Sequence, residues 1–240
     1  MSGHSKWATT KHRKSAVDAK KGKVFSKIAK LISVAAREGA DPEMNFSLRL
    51  QIDKAKAVNM PKDNIERAIA RGAGTGEGGA LETAVYEGMA PGGASVLVEV
   101  VTDNTNRAYT SIRTIFNKHG GNPDAKVMWQ FAKKGVVRIE DLSKLNKQEE
   151  RDALELTLID AGAEDIRYEE DLLTIICGVA DFKKLSDAVL NAGLAIVDAG
   201  LEYIPSNTVK LSEEDSERLE KFIEILEEDD DVDSVYTNIE

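Results

Sequence analysis

The residues with the clearest chemical potential lie in the first 37 positions. Ten are basic: Lys6, Lys11, Arg13, Lys14, Lys20, Lys21, Lys23, Lys27, Lys30 and Arg37, against one acid, Asp18. His4, Trp7 and His12 are interleaved with them. Cations neutralise phosphates and flat rings stack on bases, so this pattern is suited to gripping a polyanion, of which nucleic acid is the commonest. The predicted contacts are His4, Lys6, Trp7, Lys11, His12, Arg13, Lys14, Lys20, Lys21, Lys23, Lys27 and Lys30. The competing reading is a solvated lysine surface with no ligand.

Spacing favours the ligand. From Lys20 the chain reads as a helix, and Lys20, Lys23, Lys27 and Lys30 then fall within an arc of roughly 80°. Val24, Phe25, Ile28, Leu31, Ile32 and Ala35 occupy a separate arc of roughly 120°, which is the face a core would take. The charge is also split along the chain. Residues 1–75 hold 16 basic and 7 acidic residues, a net of +9. The whole chain has 32 and 42, so the remainder holds 16 and 35, a net of −19. Parts so different do different electrostatic work.

Other chemistry has little support in the residues. Of the three histidines, His4 and His12 lie among the lysines and His119 at a predicted helix end. No Ser-His-Asp or His-Glu-x-x-His arrangement exists, so no catalytic residue, cofactor or small-molecule substrate is expected and the chain is read as a non-enzyme. The acidic run Glu227–Asp233 lacks the spacing of a calcium loop and is read as a solvated helix end, with no metal site expected. It would repel nucleic acid or meet a basic protein. Cys177, the single cysteine, sits in the apolar run LLTIICGV and reads as a core residue. One cysteine cannot form an internal disulfide, and no apolar leader or spanning segment is evident. The expected location is the cytoplasm, without membrane contact.

The elements that must position these residues follow in order. Three helices are predicted over about Lys21–Glu38, from Asp41-Pro42 through KAKAV, and over Pro61–Arg71. The second covers MNFSLRLQID, whose alternation by itself suggests a strand. RGAGTGEGGA has five glycines between Gly72 and Gly79 but no preceding strand and no Gly-Lys-Ser/Thr, so it reads as a flexible linker. Glu82–Glu87, Ala94–Thr102, Val127–Phe131, Asn207–Leu211 and Val232–Ile239 are predicted strands. Asn106–His119 and Ser212–Glu227 are predicted helices. Between them, Val136–Ile139, Lys147–Ala161, Asp165–Glu169, Leu172–Gly178, Asp181–Ala192 and Ala195–Ile204 give the order β-α-β-β-α-β. The expected fold is α+β: an N-terminal three-helix domain followed by two ferredoxin-like α/β domains, one inserted in the other. The boundaries are a basic helical domain at 1–75, an α/β domain at 80–131 plus 207–240, and an inserted α/β domain at 132–206.

Several of these stretches together resemble one family. GHSKW at Gly3–Trp7, Lys11-His12, the KGK-F-K run at Lys21–Lys27, MPKDNIERAI at Met60–Ile69, YEG at Tyr86–Gly88, PGG at Pro91–Gly93 and TDNTNR at Thr102–Arg107 are similar to the YebC family over the whole chain. Ala8-Thr9-Thr10 stands where a more apolar filler is expected. The resemblance implies three domains, one helical and two α/β. It also implies a DNA-binding regulator of transcription. Related mitochondrial translational activators of cytochrome oxidase imply instead a factor bound to ribosomal RNA or tRNA that relieves stalling. Partners on this reading are DNA or ribosomal RNA and tRNA, together with basic ribosomal proteins. A third reading makes the acidic part a protein–protein adaptor.

Overall fold

The computed structural model describes residues 21–77, 79–140, 142, 148–169 and 172–240. Those residues divide into two compact units. One contains the chain up to Phe131 together with Pro205–Glu240; the other is Ala132–Ile204.

The first unit begins with three helices: α1 (Lys21–Ala36), α2 (Phe46–Ala57) and α3 (Lys62–Gly72). The apolar arc of α1 does face the bundle core, where Ile32 and Ala36 meet Leu48, Ile52, Ile65 and Ala68. The alternation in MNFSLRLQID is overridden. Leu48, Ile52 and Ala55 recur at helical spacing and are buried, while Met44 is left 82% exposed. The helix starts later than Asp41-Pro42 suggests. Residues 41–44 form a turn, and Asn45 caps α2 by accepting from the Leu48 amide at 3.0 Å.

The glycine-rich stretch opens as part of a packed turn. Gly72 is the last residue of α3, and a Cβ there would lie 2.1 Å from the Ser33 carbonyl oxygen. Ser33 itself donates to the Ala68 carbonyl at 2.8 Å. Thr75 and Gly76 amides both donate to Ala70, folding the chain back on α3. Small residues here let two helices approach closely, which corrects the flexible-linker reading for Gly72–Gly76.

The bundle continues into an α/β layer. β1 (Glu82–Met89) and β2 (Ser95–Thr102) form an antiparallel hairpin around Pro91–Gly93, and β7 (Val232–Thr237) pairs antiparallel with β2 on its other side. Val96, Val98 and Val100 of the central strand enter a core with α4 (Thr105–Lys118) and α7 (Glu213–Glu227). There Phe116 and Phe222 meet edge to face with centroids 4.9 Å apart. Leu97 and Val101, on the opposite face of β2, are also buried, and α1 approaches this strand.

Two expected strands are absent from this sheet. At Val127–Phe131 the chain makes a 3-10 turn, Met128–Gln130, because Glu87 accepts hydrogen bonds from the amides of Val127 and Met128 at 2.8 Å each. At Asn207–Leu211 only Val209 bridges, in parallel, to Ile239.

The second unit has the full β-α-β-β-α-β order: β3 (Phe131–Ile139), α5 (Gln148–Asp160), β4 (Ala163–Tyr168), β5 (Leu173–Cys177), α6 (Phe182–Asn191) and β6 (Asp198–Pro205). Its sheet runs β4-β5-β3-β6, with β5 antiparallel to both β3 and β4. This split-βαβ arrangement is the one the element order predicts. Arg138 is buried here and donates to Asp198 at 2.9 Å and to Glu202 at 2.8 Å. Cys177 is a core residue whose thiol burial pushes up to about 11, away from any thiolate chemistry at neutral pH.

Candidate nucleic-acid interface

The lysine stripe of α1 converges, but on the chain's own acidic end. Lys27 donates to the Glu227 carbonyl at 2.7 Å, and Lys23 to that of Glu228 at 3.1 Å. Lys30 donates to the Asp230 carbonyl and to an Asp231 carboxylate oxygen, both at 2.8 Å. These acceptors are the last residue of α7 and the turn beyond it. Terminal helix carbonyls lack intrahelical donors and carry the negative end of the helix dipole, so they attract ammonium groups. The sequence reading gives Lys23, Lys27 and Lys30 to phosphates and leaves Glu227–Asp233 in solvent. The structure sets those lysines against carbonyls of that run and the Asp231 carboxylate, while Glu228 and Asp230 stay exposed, so the solvated-end reading is corrected at Asp231.

Asp231 is the hub of this contact. Only 8% of its side chain is exposed, and besides Lys30 it accepts from Arg107 at 3.0 Å through Nε and 2.8 Å through Nη2. Burial by itself would raise its pKa. The hydrogen bonds from Lys30 and Arg107 override that and hold the carboxyl below its ordinary value. Arg107 is raised in turn, chiefly by its hydrogen bond to Asp231. Ser111 also bonds Asp229 in a short contact.

The TDNTNR stretch supplies this arrangement. Asn104 caps α4 by accepting from the Arg107 amide at 3.0 Å, and Asp103 holds the Arg107 guanidinium at 3.1 Å. Two more arginines tie the bundle to the residues before β1. Arg37 donates to the Leu81 carbonyl at 2.9 Å, and Arg71 to that of Gly79 at 2.9 Å.

Of the predicted contacts, then, Lys23, Lys27 and Lys30 lie together at one helix end. Lys21 opens α1. His4, Lys6, Trp7, Lys11, His12, Arg13, Lys14 and Lys20 lie outside the described residues. Among the described residues, no group of three or more His, Cys, Asp and Glu is arranged to hold a metal ion, and no helix is long and apolar enough to cross a membrane.

One residue with the chemistry of recognition is missing from the sequence reading. Trp129 is 76% exposed on the 3-10 turn, with its indole Nε1 donating to the Lys126 carbonyl at 3.1 Å. The run VMWQF hides it, since a tryptophan among apolar neighbours reads as core. A signal was available in the charge: residues 104–131 hold four Lys or Arg and one acid, inside a portion that is otherwise strongly acidic.

A lysine-bearing helical bundle, the α/β layer to which it is clasped and a split-βαβ unit inserted in the chain make a three-part α+β protein. The chain belongs to the TACO1/YebC family. The family's N-terminal domain matches residues 5–75, and its second and third domains match residues 81–239. Over its full length the chain is 45% identical to a probable transcriptional regulatory protein of Desulforamulus reducens, covering 99% of that protein. It is 47% identical to one of Brachyspira hyodysenteriae, covering 97% of it. The crystal structure of a conserved hypothetical protein from Aquifex aeolicus superposes with a TM-score of 0.81 at 39% identity, covering 95% of this chain and 93% of that one.

Proposed function

We propose that this protein is a nucleic-acid-binding regulator of gene expression that acts in the cytoplasm by binding and not by turnover. The names of its relatives as probable transcriptional regulatory proteins support regulation, with DNA as the first target. One observation carries the reading. Lys23, Lys27 and Lys30 are used to anchor α1, and immediately before it in sequence stand Lys6, Lys11, Arg13, Lys14 and Lys20 against a single acid, with His4, Trp7 and His12 among them. On this reading α1 is the mount and residues 1–20 are the grip.

A translational role on ribosomal RNA or tRNA is the second reading. The exposed ring of Trp129 favours it, because unpaired bases abound in structured RNA and are absent from an intact duplex. Basic ribosomal proteins would then be neighbours for the exposed acids of α7.

Titration of the full chain with duplex DNA and with a structured RNA, over a series of salt concentrations, tests both. If the grip neutralises about five phosphates, log K should fall against log salt with a slope of about −4 to −5 on the duplex. Tighter binding to the RNA at equal salt would favour translation. No binding to either, or a flat salt response, would overturn the proposal.

A further inference from the structure

The YEG stretch of β1 builds a pedestal. Glu87 sends one carboxylate oxygen to the amides of Val127 and Met128, and the other meets the Lys126 ammonium at 3.1 Å. The carboxylate is thereby drawn inward: 21% of its side chain is exposed, against 79% for Lys126. Burial alone would raise the Glu87 pKa, but the amide of Met128, Lys126 and the amide of Val127 together hold it below the ordinary value, so it is ionised at neutral pH. Next to it, Gly88 allows the Phe116 ring to sit where a Cβ would be 2.3 Å from Cε1. The turn that carries Trp129 is thus fixed from beneath, and the indole is tied by its own N–H to Lys126. A large flat side chain is held in place and left open to solvent.

What such a ring would meet follows from its surroundings. Val127 is 2% exposed and Met128 is half-buried, so the turn offers no second large exposed apolar side chain beside the indole. Apolar protein partners are recognised by contiguous patches, and a lone ring with a cation on its own turn is a poor one. A nucleobase needs one flat face, and its phosphate needs a nearby cation. We infer that Trp129 is a stacking platform for an unpaired base of a nucleic-acid strand, with Lys126 facing the adjoining phosphate. This rests on the nucleic-acid reading above and adds a contact about 100 residues beyond the basic arm.

The test uses the full chain and an oligouridylate of about twelve nucleotides, a length within single-strand site sizes, beside a DNA duplex of equal length. The chain has two tryptophans, so the emission change shown by the wild type and lost in Trp129→Ala is the one that reports Trp129. Its emission should be quenched by the oligouridylate and unmoved by the duplex. Trp129→Ala should weaken oligouridylate binding by about 5- to 150-fold, the equivalent of one stacked base. Trp129→Phe should restore most of it, and the melting temperature should not change. Unaltered emission with unaltered affinity in Trp129→Ala would overturn the inference while leaving the nucleic-acid reading intact. So would equal losses on both probes with a lowered melting temperature, or loss of a protein partner alone. A wild-type chain that binds neither probe would overturn both.

Discussion

Lys30 of α1 donates to Asp231 at 2.8 Å across 201 positions of sequence, with 20% and 8% of the two side chains exposed. The pair joins the most basic part of the chain to its most acidic. Asp231→Ala removes the carboxylate that Lys30 and Arg107 share and leaves them the Asp230 carbonyl and Asp103, so the cost of about 3–5 kcal/mol for removing one partner of a buried pair is an upper limit here. Arg107 is half-exposed and can recover water, so the loss should fall near 3 kcal/mol. Urea unfolding measures it.

The same pair fixes a pH dependence. The folded pKa of Asp231 lies below its ordinary value, so the carboxylate's contribution is fully present above the unfolded pKa of about 3.9. It is lost as pH falls through the lower folded value. Stability should therefore be insensitive to this group between neutrality and about pH 5, and Asp231→Asn should flatten part of the acid limb below about pH 4. Melting curves from neutral to acid pH on both proteins check this.

Neutralising lysines should have two separable effects. Lys23→Ala, Lys27→Ala and Lys30→Ala together should lower the melting temperature and change the salt slope of binding by less than about one unit. Neutralising Lys6, Lys11 and Lys14 should instead make the slope shallower by up to about 3 units and spare the melting temperature. The reverse assignment would put the binding face on α1.

Removing the bundle should harm what is left. A chain beginning at Ala80 loses Lys23, Lys27 and Lys30 from the end of α7 and Arg37 from Leu81. It also uncovers the β2 face that α1 approaches. The truncated protein should melt well below the full chain or aggregate; an unchanged melting temperature would return the glycine stretch to the role of a passive linker.

Gly72→Ala should destabilise the bundle. The added methyl would sit 2.1 Å from Ser33 O, on a backbone that can move only by separating α3 from α1. Forced overpacking costs about 1–3 kcal/mol. Gly74→Ala, whose added Cβ would meet nothing within 4 Å but whose φ is +76, should cost about 1 kcal/mol through backbone strain alone. Thermal unfolding of the two variants separates packing from strain.

Much of this protein was legible in its residues, and what was not has a common physical origin. Periodicity reports which face of an element is apolar. That was enough for α1 and for the β-α-β-β-α-β order of the inserted unit, whereas at Phe46–Ala57 the alternation pointed to a strand and only the unbroken run into KAKAV argued for the helix that forms. Motif residues were enough for the family. A charge carries no such mark of its partner. Whether Lys27 faces a phosphate or the Glu227 carbonyl depends on a contact across 200 positions, which no local pattern encodes. The strand expected at Val127–Phe131 fails for the same reason, since the Glu87 carboxylate that bends it into a turn comes from another strand. Trp129 follows from that bend: as part of a strand it would have been read as core, and the turn lifts it into solvent. Sequence determined most of the elements, their order and the separation of charge; tertiary structure decided which of those charges the protein consumes in holding itself together, because electrostatic pairing is set by distance in space and periodicity by distance along the chain.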